Sequence, residues 1–186
     1  MNILRYLERT LPQQSHAIEI GVFRGAFSRR FLRRCNPEKL ILVDPWINVD
    51  DPAHQSAWYH SARGNDMESI YNNVRTQMST EVDNGRVEIH RSTSSEILPN
   101  LPDCAFDFIF VDGDHLHEPV SLDLNVSFQK LKHGGIMLID DYKIDPKFWW
   151  GDDVVRAVHD FLAKHSSNIL LEQISDGQII VRKVED

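Results

Sequence analysis

Short apolar runs alternate with helical patterns along almost the whole chain, and that alternation restricts the fold more than any other feature. Ala17 to Gly21 (AIEIG), Leu40 to Asp44 (LILVD), Arg86 to Arg91 (RVEIHR), Phe106 to Asp112 (FDFIFVD) and Ile136 to Asp140 (IMLID) read as strands. Ala26 to Arg34 reads as a helix. A second helix carries Val120, Leu124, Phe128 and Leu131 at intervals of three or four residues, and Gly134-Gly135 is expected to cap its end. A third is expected to start at Asp152 as N-cap, with Val154, Val155, Val158, Phe161 and Leu162 on one side. Asn168 to Glu172 and Gln178 to Arg182 read as a closing hairpin turned by Ser175, Asp176 and Gly177. Five β-α steps and a hairpin predict an α/β fold: a doubly wound, mostly parallel seven-stranded sheet with an antiparallel C-terminal strand, covered by helices on both faces in three layers.

With 186 residues the chain suits one domain, 1–186, and no linker, repeat or low-complexity stretch divides it. Its 41% hydrophobic and 26% charged residues are those of a globular protein. No apolar stretch approaches the ~20 residues that span a bilayer, and no membrane partner is expected. The start, MNILRYLERTLPQQSH, is charged early and lacks a signal-peptide core, so a cytoplasmic protein is expected. Its Ile3, Leu4, Leu7 and Leu11 make one amphipathic helix, too little for a cap domain. Cys35 and Cys104 have no metal or disulfide spacing and are expected to be buried filler. A formal charge of −8 opposes binding of nucleic acid over the surface. The basic cluster Arg24, Arg29, Arg30, Arg33 and Arg34 reads as a solvated helix face, with an anionic partner as the alternative.

Parallel sheets of this kind bind ligands beyond the carboxyl ends of their strands, and Gly21, Asp44, Asp112 and Asp140 all fall at such ends. The first turn, EIGVFRGAFS over residues 19 to 28, has Gly21 and Gly25 just before a helix, where a tight turn and a helix amino terminus favour a carboxylate or phosphate. Asp44, 23 residues after Gly21, is placed to hold a ribose diol. A dinucleotide fingerprint needs a glycine where this chain has Phe23, so NAD is disfavoured. A ligand with a ribose, an adenine and a small carboxylate still fits.

These residues resemble the class I S-adenosylmethionine-dependent methyltransferases, which share a Rossmann-like fold. The likeness is greatest to small families with an EIGVFRG-like first motif and a VDGDH fourth strand, related to the catechol and sugar O-methyltransferases. It covers roughly residues 15 to 185. The resemblance implies that Glu19, Gly21 and Gly25 line the methionine part of the cofactor and that Asp44 binds the ribose. It places Ser92, Thr93 and Ser94 by the adenine. Ser28 lies one position later than the serine that meets the methionine carboxylate in catechol-type motifs.

Methyl transfer to oxygen needs a hydroxyl that loses its proton and meets the sulfonium methyl in line, and a divalent cation helps both. Asp112, Asp140 and Asp141 at two neighbouring strand ends offer Mg²⁺ an oxygen ligand set, since converging carboxylates repel one another without a cation. Asp141 stands where metal-dependent catechol-type relatives often carry Asn. A metal-free site is the alternative. His115, with an ordinary imidazole pKa near ~6.5, is the candidate general base; it is also placed to be a metal ligand or a helix cap. His117 is expected to face elsewhere. Two aromatic segments, 45 to 66 and 142 to 151, carry Trp46, Trp58, Tyr59, Tyr142, Phe148, Trp149 and Trp150 and read as lids, substrate walls, core or a dimer surface. The resulting expectation is a methyltransferase acting on a hydroxyl of a small sugar or phenolic molecule, assisted by Mg²⁺, with self-association left open. Its rivals are a metal-independent methyltransferase on N or O and a non-catalytic nucleotide-binding module.

Overall fold

The computed structural model describes residues 3–145 and 147–185. Seven strands form one sheet: β1 (His16–Ile20), β2 (Lys39–Asp44), β3 (Val87–Arg91), β4 (Phe106–Val111), β5 (Leu131–Ile139), β6 (Ile169–Ser175) and β7 (Gln178–Lys183). Their spatial order is β3-β2-β1-β4-β5-β7-β6, with parallel pairing from β3 to β5 and antiparallel pairing of β7 with both β5 and β6. The helices are α1 (Ile3–Thr10), α2 (Ala26–Cys35), α3 (Met67–Gln77), α4 (Ser79–Asp83), α5 (Ser94–Ile97), α6 (His117–Lys130) and α7 (Asp153–Lys164).

Alternation along the strands divides the core in two. Ile18, Val43, Ile109 and Met137 pack with Leu124, Phe128, Val158 and Phe161 of α6 and α7 on one face. Ala17, Leu42, Phe108 and Leu138 pack with Leu7, Phe31 and Val74 of α1, α2 and α3 on the other. Burial on both faces explains why the strands read as continuous apolar runs. Among the described residues, no helix is long and apolar enough to cross a membrane.

Three details differ from the sequence expectation. Helix α6 ends at Lys130, and Gly134-Gly135 lie inside β5. Gly134 takes φ +77° there, and the register with β4 jumps from Phe106↔Leu131 to Phe108↔Ile136. The glycines therefore serve a strand irregularity rather than a cap. Asp152 makes no side-chain capping bond and instead lies 3.7 Å from Arg156. Cys35 is half-buried and Cys104 is exposed.

The ladder continues one residue past each central strand. Gly21 N donates to Val43 O at 3.0 Å, Asp112 N to Ile20 O at 2.9 Å and Asp140 N to Val111 O at 3.0 Å. The loops carrying the charged side chains consequently start side by side.

Candidate active site

A cavity of about 770 Å³ opens at these strand ends, walled by Gly21, Asp44, Thr93, Ser94, Asp112, His115 and Asp141 among others. Gly21 has φ +82°, and a Cβ there would overlap the carbonyl oxygen of Asp112, so the first loop and the fourth strand end touch through backbone alone. Gly25, with φ +65°, lies outside the cavity lining and starts α2. Glu19 is 1% exposed and accepts a 2.6 Å hydrogen bond from the Ser28 hydroxyl, which ties β1 to α2 beneath the loop. Burial raises the Glu19 pKa to about 8, against the lowering effect of that bond.

Asp44 accepts from the backbone amides of Phe23 at 2.9 Å and Trp46 at 2.7 Å. Its carboxyl sits above the usual range because burial outweighs those bonds. The indole of Trp46 is buried and donates to Phe23 O at 2.8 Å, so this tryptophan closes the core. At the third strand end Thr93 begins α5 through a capping box with Glu96, and the Ser92 hydroxyl also donates to Glu96.

The carboxylates converge at the other end. Asp112, His115 and Asp141 each place one ligand atom within 4.8 Å of the others. His115 Nε2 is 2.8 Å from Asp141 Oδ2, and Lys143 Nζ donates to Asp141 Oδ1 at 3.0 Å. Burial raises the Asp141 carboxyl, but contacts with His115 and Lys143 outweigh it and hold it below its ordinary value. Asp112 is held well above its ordinary range by burial, then by Asp140, Asp141 and Glu19. A cluster of this kind fits a divalent cation: oxygen and nitrogen donors within ligand reach, with excess negative charge around them. Asp140 stands outside the trio. Its carboxylate accepts from Asp141 N at 2.8 Å and Gln178 Nε2 at 3.1 Å, and it lines a small recess together with Asp112, His115 and Asp141. Asp141 adopts φ +54°.

The two aromatic segments meet over this trio. His115 packs on Trp150 with ring centroids 4.4 Å apart, and Trp149 lies against both His115 and His54. Trp58 and Tyr59 line the cavity, Trp58 leaning on Phe23 at 4.0 Å. Sequence reasoning missed three participants. His54 Nε2 lies 3.0 Å from Asp114, whose other oxygen accepts from the amides of His115 and Leu116. Lys143 neutralises part of the acidic cluster. Asp123, buried on α6, also borders the cavity. His117 points away and meets Asp160 at 2.9 Å.

A family model described as a methyltransferase domain matches residues 18–142. An uncharacterized protein of Acanthamoeba polyphaga mimivirus is 36% identical over 67 residues, 36% of this chain and 28% of that protein's length. Among solved structures, the O-methyltransferase NovP superposes with a TM-score of 0.70 at 20% identity, covering 98% of this chain and 80% of NovP. The O-methyltransferase TomG from Streptomyces achromogenes, in complex with S-adenosylmethionine, gives 0.66 at 16% identity with the same coverage, 98% and 80%. A Corynebacterium glutamicum protein gives 0.67 at 16% identity, covering 99% of this chain and 80% of its own. The matched domain, the strand order and the glycine loop agree: the chain belongs to the class I S-adenosylmethionine-dependent methyltransferases.

Proposed function

We propose that the chain is a single-domain enzyme that transfers the methyl group of S-adenosylmethionine to a hydroxyl of a small molecule, with a divalent cation, Mg²⁺ by its oxygen-rich donors, assisting. The observation that carries this reading is the trio Asp112, His115 and Asp141, within 4.8 Å of one another at one end of the cavity that Gly21 and Asp44 border. In this reading Gly21 lets the cofactor approach the backbone and Asp44 accepts from the ribose hydroxyls. Glu19, Gly25 and Ser28 shape the loop from below, Thr93 and Ser94 stand at the base end, and Ser92 fixes the start of α5.

A cation held by Asp112 and Asp141, with Asp140 behind them and His115 Nε2 in reach, would supply Lewis acidity to the acceptor oxygen. The protein's own part is to orient that oxygen and receive its proton. Asp141 fixes the His115 ring through Nε2, and this pair borders the cavity, where it would receive the acceptor's proton. Trp58 and Tyr59 wall the acceptor, and Trp149 and Trp150 pack behind Tyr59 and His115 and exclude water there. TomG and NovP are both named O-methyltransferases, which supports oxygen as acceptor. A metal-free variant of the reaction has one observation in its favour: Lys143 already gives Asp141 a cationic partner.

Calorimetric titration with S-adenosylmethionine, with NAD as control, each with Mg²⁺ and then with EDTA, tests the proposal. Heat from S-adenosylmethionine alone, and a Mg²⁺ heat that Asp112→Ala abolishes, are expected. Absence of any cofactor heat sinks the proposal, and cofactor heat without a Mg²⁺ heat leaves the metal-free reaction.

A further inference from the structure

Seven arginines and two glutamates give residues 1–35 a formal charge of +5 in a chain whose total is −8. A groove of about 480 Å³ lies where α1 meets α2, walled by Leu4 and Glu8 of the first helix and by Arg30, Arg33 and Arg34 of the second. It shares no lining residue with the active-site cavity. Spacings of three and four residues put the three arginines on one side of α2, where like charges repel. Other arginines are committed within the fold: Arg29 donates to Arg24 O and Gln77, Arg86 to Pro37 O and Asn36, and Arg182 to Glu172. In the groove Arg34 has a partner, Glu8 at 2.9 Å. Arg30 and Arg33 are exposed and make no hydrogen bond or ion pair among the described residues.

The walls of the groove select among anions. Four of its five lining residues are charged, and the fifth, Leu4, is 4% exposed, so a protein segment finds no apolar anchor of the kind on which stable interfaces are built. Helices α1 and α2 have 8 and 10 residues, about 12 and 15 Å of length, and the remainder of the chain is net acidic. No long basic track for a nucleic-acid backbone follows from that distribution. A compact and highly charged anion does fit. Guanidinium groups present N–H forks that match phosphate oxygens two at a time, and two unpaired forks on one helix face suit linked phosphates better than a lone carboxylate.

We infer that the groove between α1 and α2 binds linked phosphates, a diphosphate or triphosphate group held by Arg30 and Arg33, with Arg34 shared between the ligand and Glu8. This site is separate from the methyl-transfer chemistry and does not rest on the cofactor reading.

Calorimetric titration with tripolyphosphate, pyrophosphate and orthophosphate tests this on the wild type, Arg30→Gln, Arg33→Gln, Glu8→Gln and, as a control, Arg63→Gln. EDTA is present throughout, so that no cation bridges phosphate to the acidic cluster. All four substituted residues are exposed, and circular dichroism confirms each fold. The wild type is expected to bind one tripolyphosphate, at least ~10-fold tighter than orthophosphate. Arg30→Gln and Arg33→Gln should each weaken it about 10-fold, the effect of losing one charge-assisted hydrogen bond. Glu8→Gln releases Arg34 and should tighten binding about threefold, while Arg63→Gln, with the same charge change as Arg30→Gln, stays at the wild-type value. Uridine triphosphate separates two sources of the same chemistry. An affinity equal to that of tripolyphosphate assigns recognition to the phosphates alone, and tighter binding that Arg30→Gln still weakens assigns a nucleotide. Equal losses in Arg30→Gln and Arg63→Gln, or no heat from tripolyphosphate, overturn the inference. Tighter binding of a hexaglutamate peptide or of a short DNA duplex than of tripolyphosphate overturns it as well, in favour of a macromolecular partner.

Discussion

Gly21 is the residue on which the two halves of the site depend, because its φ of +82° and the Asp112 carbonyl beside it exclude any side chain. Gly21→Ala combines a left-handed backbone penalty of roughly 1–2 kcal/mol with a displacement of the Asp112 loop. S-adenosylhomocysteine affinity should fall at least ~30-fold by calorimetry, with a lowered melting temperature; unchanged binding would show that the two loops tolerate separation. Glu19 tests burial instead. Its folded pKa of about 8 lies above the ordinary 4.5, so the folded state keeps a proton that the unfolded chain loses. That contribution to stability is complete below pH 4.5 and disappears as pH rises to about 8. Glu19→Gln keeps an acceptor for Ser28 and removes the dependence, so its stability relative to wild type should improve by a few kcal/mol between pH 4.5 and pH 8 in urea titrations. A constant difference across that range would show that the carboxyl ionises freely.

At the scale of elements, the segment between β2 and α3 is tied to the β4 loop by His54 and Asp114, with Tyr59 and Trp149 packed on the imidazole. His54→Ala removes that tie and leaves one Asp114 oxygen without its imidazole partner. The exposed Arg63 in the same segment should then be cut by trypsin several-fold faster, while far-ultraviolet circular dichroism stays unchanged. Equal cleavage rates would show that aromatic packing alone holds the segment. This tie also marks the limit of what could be read from the sequence. Strands were legible because burial on both faces writes continuous apolar runs, and strand ends were legible because Gly21, Asp44, Asp112 and Asp140 interrupt those runs. Pairs such as His54–Asp114 and His115–Asp141 were not, since 60 and 26 residues separate their members and only the folded sheet brings them together. Asp123 was hidden for a related reason: on a helical pattern it reads as one more polar residue between apolar ones. The glycine pair in β5 misled because glycine after a helical pattern signals a cap equally well.

Over the whole molecule a formal charge of −8 is compounded at one point, where Asp112, Asp140, Asp141 and Glu19 surround the end of the sheet and Lys143 is the cation beside them. The proposed cation site is therefore unfavourable by itself and would become favourable once a cation is bound. Two opposite effects on stability follow from one substitution. Asp112→Asn removes a buried carboxyl held well above its ordinary pKa, so the metal-free variant should melt higher than the metal-free wild type near pH 8. Adding Mg²⁺ or Mn²⁺ at ~100 times its dissociation constant should stabilise the wild type by about 2.7 kcal/mol, which raises the melting temperature by roughly 5–10 °C for a chain of this size. The variant, lacking one of three ligands, should gain little, and the order of the two melting temperatures should reverse as metal is added. Differential scanning calorimetry with EDTA and with each metal reads both effects. Crossing curves would identify the acidic cluster as a cation site whose strain is relieved by its ligand, whereas parallel curves would mean that Lys143 and His115 balance the carboxylates without a metal.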